Sequence, residues 1–126
     1  MATLTDEQAQ LFQDTNFAVV GIVTPRGEPR TSIVWVDWDG ENVLFNTTNA
    51  RAKGRYLRTN PKVSLTVWPR DDPYSYVEVV GTAELDEEGA GEHIDKLSQK
   101  YEGKPFHTPV DRVIVRVKPE LVFDHR

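Results

Sequence analysis

The chain has 126 residues, a formal net charge of −5 and no cysteine. A single domain with a real hydrophobic core fits this length, and a disulfide framework or thiolate metal site is excluded. The acidic balance disfavours general nucleic-acid binding, which needs a broad cationic surface.

Thr5-Asp6-Glu7-Gln8 matches a capping box, predicting a short helix to about Asp14 that offers Leu11 and Phe12 to the core. Residues 17–24 (FAVVGIVT) form a buried strand, turned by Pro25-Arg26-Gly27. Its apolar run, 18–23, is the longest in the chain and far too short to span a bilayer. No basic region followed by an apolar run opens the chain, so a cytoplasmic protein is expected. Residues 30–38 (RTSIVWVDW) alternate as one strand, with Ser32, Val34, Val36 and Trp38 on one face and Thr31, Ile33, Trp35 and Asp37 on the other. Asp39-Gly40 signals a hairpin into a third strand at 43–48.

The stretch 46–61 (NTTNARAKGRYLRTNP) asks for a ligand. Asn46 and the hydroxyls of Thr47 and Thr48 precede Asn49, an expected N-cap, and Asn60-Pro61 stops the helix that follows. Arg51, Lys53 and Arg55 crowd its first turns, where the macrodipole favours anions. A bound phosphate would reverse that penalty, because amides at a helix start, hydroxyls and cations together form an anion cradle. A solvated basic helix face satisfies the same spacing, so both readings stand. Gly54 costs about 1 kcal/mol relative to Ala in a helix, which implies the close approach of another backbone or a flat ligand.

Residues 62–68 (KVSLTVW) alternate as a half-buried strand, and 69–73 turn. Residues 74–85 form a long strand in which Gly81 marks a bulge or bend. A second helix is expected over 86–101, on the spacing of Ile94, Leu97 and Tyr101. Strands at 112–118 and 120–123 close the chain. Six or seven short strands, many in hairpins, with helices between them, predict a mostly β fold: a closed or nearly closed antiparallel barrel.

Catalytic constellations are missing. His93, His107 and His125 lack metal-ligand spacing and read as surface or helix-end residues, so no metal is expected. There is no GxSxG elbow and no GxGxxG. The paired acids Asp71-Asp72 and Glu87-Glu88 fall in a turn and at a helix start. A barrel with an anion cradle and no acid–base machinery suits a redox enzyme whose cofactor carries the chemistry.

The runs GEPRTSIVWVDWDGENVLFNTTNARAK, RAKGRYLRTNPKVSLTVW and DDPYSYVEVVGTAEL resemble the split β-barrel flavin and deazaflavin oxidoreductases. The resemblance covers about residues 5–118 and is greatest to the small coenzyme F420-dependent enzymes of the pyridoxamine-oxidase-like class. It implies a homodimer with cofactor sites at the interface. It also implies that Arg51 and Lys53 hold the cofactor phosphate, helped by Thr47, Thr48 and Arg55. Ser32 and Val34 would lie along the deazaflavin ring, and Tyr74 near the cofactor tail, contributed by the other subunit; barrel-end packing is the alternative for Tyr74. Trp35 and Trp68 are expected in the core or the dimer interface. The implied activity is hydride transfer from reduced F420 to an electron-poor double bond of a small organic substrate. FMN is the alternative cofactor, since it presents a phosphate to the same helix start. A non-catalytic binder of a flavin, deazaflavin or tetrapyrrole and a protein-interaction module are the competing readings. The vitamin-B6 oxidases proper carry a further C-terminal segment with Arg residues, and the absence of such a segment here disfavours that activity.

Overall fold

The computed structural model describes residues 2–107 and 109–126. Helix α1 (Asp6–Gln13) opens on the expected capping box: the Gln8 amide donates to Thr5 Oγ1 at 3.2 Å and the Thr5 amide to Gln8 Oε1 at 2.9 Å. It delivers Leu11 and Phe12 to the core. Strands β1 (Ala18–Val23) and β2 (Pro29–Val34) form a hairpin turned by Gly27, whose φ of 82° suits glycine.

The predicted strand 30–38 is broken. β2 ends at Val34, and Asp37–Trp38 forms a short strand, β3, at the opposite edge of the sheet. Alternation persists across the break, but the hydrogen bonds of residue 36 go elsewhere. The Val36 amide donates to the Tyr101 hydroxyl at 3.1 Å, and Lys100 Nζ donates to the Val36 carbonyl at 2.6 Å. Two side chains of α3 (Ala90–Glu102) thus replace a strand partner at the crossing.

β4 (Val43–Thr48), α2 (Ala52–Thr59), β5 (Lys62–Val67), β6 (Val77–Asp86) and β7 (Arg112–Asp124) complete the chain. All pairings are antiparallel, in the order β2-β1-β5-β6-β7-β4-β3. Two residues, Trp35 and Val36, join the two edge strands. At about 3.3–3.6 Å per extended residue, so short a link requires the sheet to curl until its edges approach, giving the expected split barrel. The inward faces of β1, β5 and β6 carry Ala18, Val20, Ile22, Val63, Leu65, Val67, Val77 and Val79, and Phe12, Phe45 and Leu57 fill the interior.

Several boundaries move for local reasons. β6 starts at Val77 rather than residue 74, because the Asp72 carboxylate accepts the Tyr74 amide and the Ser75 hydroxyl and extends the turn. α3 starts at Ala90, since Asp86 still pairs with Ile114 and Gly89 takes the left-handed N-cap. The two predicted final strands are one. They are interrupted by a bulge at which the pairing steps from Val80↔Leu121 to Gly81↔Pro119. Gly81 is required there: a Cβ would lie 2.1 Å from the Lys118 carbonyl oxygen. Gly81→Ala should therefore cost about 1–3 kcal/mol of stability and lower the thermal midpoint by several degrees in a melting experiment.

Candidate functional site

The site forms where the start of α2 meets β2 and β4. Along β4, Val43, Phe45 and Thr47 face the core while Asn46 and Thr48 face outward. Of the two predicted hydroxyls, only Thr48 therefore reaches the helix start, where its Oγ1 accepts the Arg51 amide at 3.1 Å. Thr47 does not join the site; its Oγ1 is buried with no partner among the described residues. The N-cap is Arg51 rather than Asn49, because the Asn49 side chain is engaged by Arg58 and Glu87. Arg51 offers the first-turn amides no side-chain acceptor, and that turn holds no acidic residue.

Lys53 Nζ donates to Ser32 Oγ at 3.0 Å, tying α2 to β2. Burial holds the Lys53 ammonium below its ordinary pKa, and Arg51 and Arg112 push in the same direction. Gly54 answers its question in favour of backbone: a Cβ there would lie 2.3 Å from the Thr48 carbonyl oxygen. Arg55 is exposed and lines neither of the cavities flanking Lys53. Tyr74 is 83% exposed, so barrel-end packing within its own chain does not account for it.

Arg51 and Lys53 stand between two open cavities. One, of about 290 Å³, is lined by Arg30, Ser32 and Tyr56 as well as the two cations. The other, of about 260 Å³, adds Phe17, Val34, Trp35, Asn46, Phe106 and Arg112. Trp35 is thus a cavity wall rather than a core residue. It stacks on Tyr101 at 5.5 Å between ring centroids, and Phe17 stacks on the same Tyr101 ring at 5.7 Å.

Arg112 is held by a short chain of hydrogen bonds. Its Nε donates to Asn46 Oδ1 at 2.8 Å, and Asn46 Nδ2 lies 3.0 Å from both the Ala90 carbonyl and His93 Nδ1. With its amide donating both ways, Asn46 needs His93 Nδ1 as an acceptor, which requires a neutral imidazole. Burial supports this by lowering the His93 pKa to about 4. His93 is therefore neither a surface residue nor remote from the cradle, although its Nε2 is sealed inside the protein.

Sequence reasoning missed Arg30, Phe17, Phe106, Arg112 and His93. Arg30 had a signal: it lies two residues before Ser32, on the same face of β2. Arg112 and His93 had none, since the contacts that place them beside Asn46 span 66 and 47 residues.

An antiparallel split barrel with a cation-lined cavity at a helix start defines the class, a flavin- or deazaflavin-type oxidoreductase domain. The chain belongs to the pyridoxamine 5'-phosphate oxidase family, whose sequence profile matches residues 4–126. Among solved structures, an F420 reductase superimposes with a TM-score of 0.85 at 31% identity, over 95% of this chain and 98% of that one. A conserved hypothetical protein of Mycobacterium tuberculosis shares the fold at 23% identity, with a TM-score of 0.78 over 100% and 88% of the two chains. HupZ of Group A Streptococcus does so at 24% identity, with a TM-score of 0.72 over 96% and 93%. No curated protein sequence matches the chain. Among the described residues, no helix is long and apolar enough to cross a membrane.

The buried imidazole makes a pH prediction. His93 titrates near 4 in the folded protein and at its ordinary 6.5 when unfolded, so on acidification the unfolded chain takes up the proton first. The contribution of neutral His93 is complete above about pH 6.5 and declines as the pH falls towards 4, by on the order of 2–3 kcal/mol. Denaturant titrations across this range should show that slope in the wild type, and a flatter one in His93→Gln, which keeps an acceptor for Asn46.

Proposed function

We propose that the protein is an F420H2-dependent reductase that delivers a hydride to an electron-poor double bond of a small organic substrate. The observation that carries this reading is the Lys53 ammonium: half-buried, bonded to a neutral hydroxyl, and faced by Arg51 and Arg112. Like charges brought together in a partly desolvated site repel, and a bound anion relieves the repulsion. The phosphate of the cofactor supplies such an anion. Arg30, on the cavity wall beyond Ser32, adds a further cation to this group.

In this reading Arg51 and Lys53 hold the phosphate, and Ser32 and Val34 align the ring along β2. Reduced deazaflavin supplies the hydride. Trp35 and Phe17 present flat apolar surface to the reacting partner and exclude water from one side of it. Holding two reactants face to face contributes several kcal/mol to lowering a barrier. No side chain need exchange a proton; His93 is sealed and neutral, and solvent delivers the proton that completes the reduction. The F420 reductase with 31% identity supports F420 over FMN.

The proposed assembly is a homodimer with the site at its interface. The outer face of the sheet supports it. The pairing registers place Ile33, Val19, Thr66, Glu78 and Phe123 in one row, and Thr31, Gly21, Ser64, Val80 and Leu121 in the next. Ile33, Leu121 and Phe123 are 65%, 54% and 44% exposed, an apolar face that a second copy would cover. Tyr74 would then reach the partner's cofactor tail.

Fluorescence titration with oxidised F420 and with FMN tests the proposal. Tighter binding of F420 than of FMN, with both lost in Arg51→Ala/Lys53→Ala, is the expected result. Preferential FMN binding would move the protein to the flavin branch of the family. Binding of neither would overturn the cofactor reading.

A further inference from the structure

The cavity containing Trp35 has a cationic arm, Arg112, that does not line the cavity on the Arg30 side. Arg112 projects from the start of β7, opposite Thr48 in the β4–β7 ladder. Its Nε is fixed by Asn46, and its guanidinium carbon lies 5.1 Å from the centroid of the Phe106 ring. Asn46 is itself fixed, because both directions of its amide nitrogen are used, by the Ala90 carbonyl and by His93 Nδ1. An arginine anchored through Nε keeps its two terminal nitrogens for a planar, bidentate partner, which is the geometry of a carboxylate. Nothing among the described residues takes that place: the neighbouring Asp111 carboxylate accepts from the Ala50 amide and from Asn49 Nδ2 instead.

The rest of this cavity is unlike the Arg30 side. Trp35 and Phe17 form aromatic walls, both packed on Tyr101, and Lys100 and Tyr101 pin the neighbouring Val36 backbone. Rigid flat walls beside an oriented guanidinium, with Arg51 and Lys53 shared with the other cavity, select a flat ligand that carries a negative group. We infer that Arg112 is a specificity-determining residue for the substrate and that the substrate is a planar, conjugated carboxylate. Its ring system lies against Trp35 and its carboxylate meets Arg112, with Asn46 as the positioning residue. Treating this ligand as the hydride acceptor rests on the cofactor reading above; the preference of the cavity for a carboxylate does not.

Calorimetric titrations with coumarin-3-carboxylate and with its neutral ethyl ester test the inference, on both unloaded and F420-loaded protein. The wild type should bind the carboxylate tighter than the ester by on the order of tenfold. Arg112→Gln should erase that preference, while its loss of F420 affinity stays at least roughly tenfold smaller than that of Arg51→Ala/Lys53→Ala. Arg112→Lys, which keeps the charge but not the fork, should give an intermediate preference and serves if the Gln variant fails to fold. Equal binding of the two probes by the wild type, or a preference that survives in Arg112→Gln, would overturn the inference. So would a loss of F420 affinity in Arg112→Gln as large as that in Arg51→Ala/Lys53→Ala, which would place Arg112 at the phosphate itself. A carboxylate preference without any F420 binding would support the Arg112 assignment and sink the cofactor reading alone.

Discussion

An ammonium bonded to a neutral hydroxyl is the interaction on which the site depends. Lys53 reaches Ser32 across the gap between α2 and β2, and its charged neighbours, Arg51 and Arg112, have its own sign. The fold keeps these groups together because each is set by a separate piece of architecture. Arg51 caps α2 on the Thr48 hydroxyl, Arg112 opens β7 opposite Thr48, and Ser32 belongs to an edge strand. Like charges held together in a partly desolvated site repel, and an anion among them would relieve that repulsion. Two open cavities flank the cluster.

The barrel supplies rigidity where the chemistry needs it. The chain crosses from one sheet edge to the other at Trp35 and Val36, where ladder hydrogen bonds cannot form. Tyr101 and Lys100 take their place, with the Tyr101 hydroxyl also donating to the Asn16 carbonyl at 2.5 Å. Burial raises the Tyr101 pKa to about 12, so the phenol keeps its proton and stays a donor across the physiological range. α3 therefore serves the site twice, bracing the aromatic wall at its C-terminal end and, through His93 and the Ala90 carbonyl, orienting Asn46 at its start.

Much of this was legible in the sequence wherever the information is local. The alternation of 18–23, 43–48 and 62–67, the capping box at Thr5 and the bulge at Gly81 are each written in neighbouring residues, and the structure follows them. The cationic helix start was legible for the same reason. Alternation does not say which strand is the partner, so 30–38 looked continuous although it changes edges after Val34. Nor did the Thr47-Thr48 pair reveal which hydroxyl faces inward until the register of β4 against β7 was known. Gly54 announced a close approach without naming the Thr48 carbonyl as its cause. Arg112 and His93 become site residues only when β7 and α3 close over Asn46, a consequence of topology that no local pattern carries.

The central claim is that the Arg51–Lys53 pair exists to hold the phosphate of a deazaflavin. A crystal structure of the protein with F420 is the most direct test. The account predicts phosphate oxygens about 3 Å or less from Lys53 Nζ and the Arg51 guanidinium, with the deazaflavin ring running along β2 past Ser32 and Val34. Cofactor bound with its phosphate away from both side chains would contradict it.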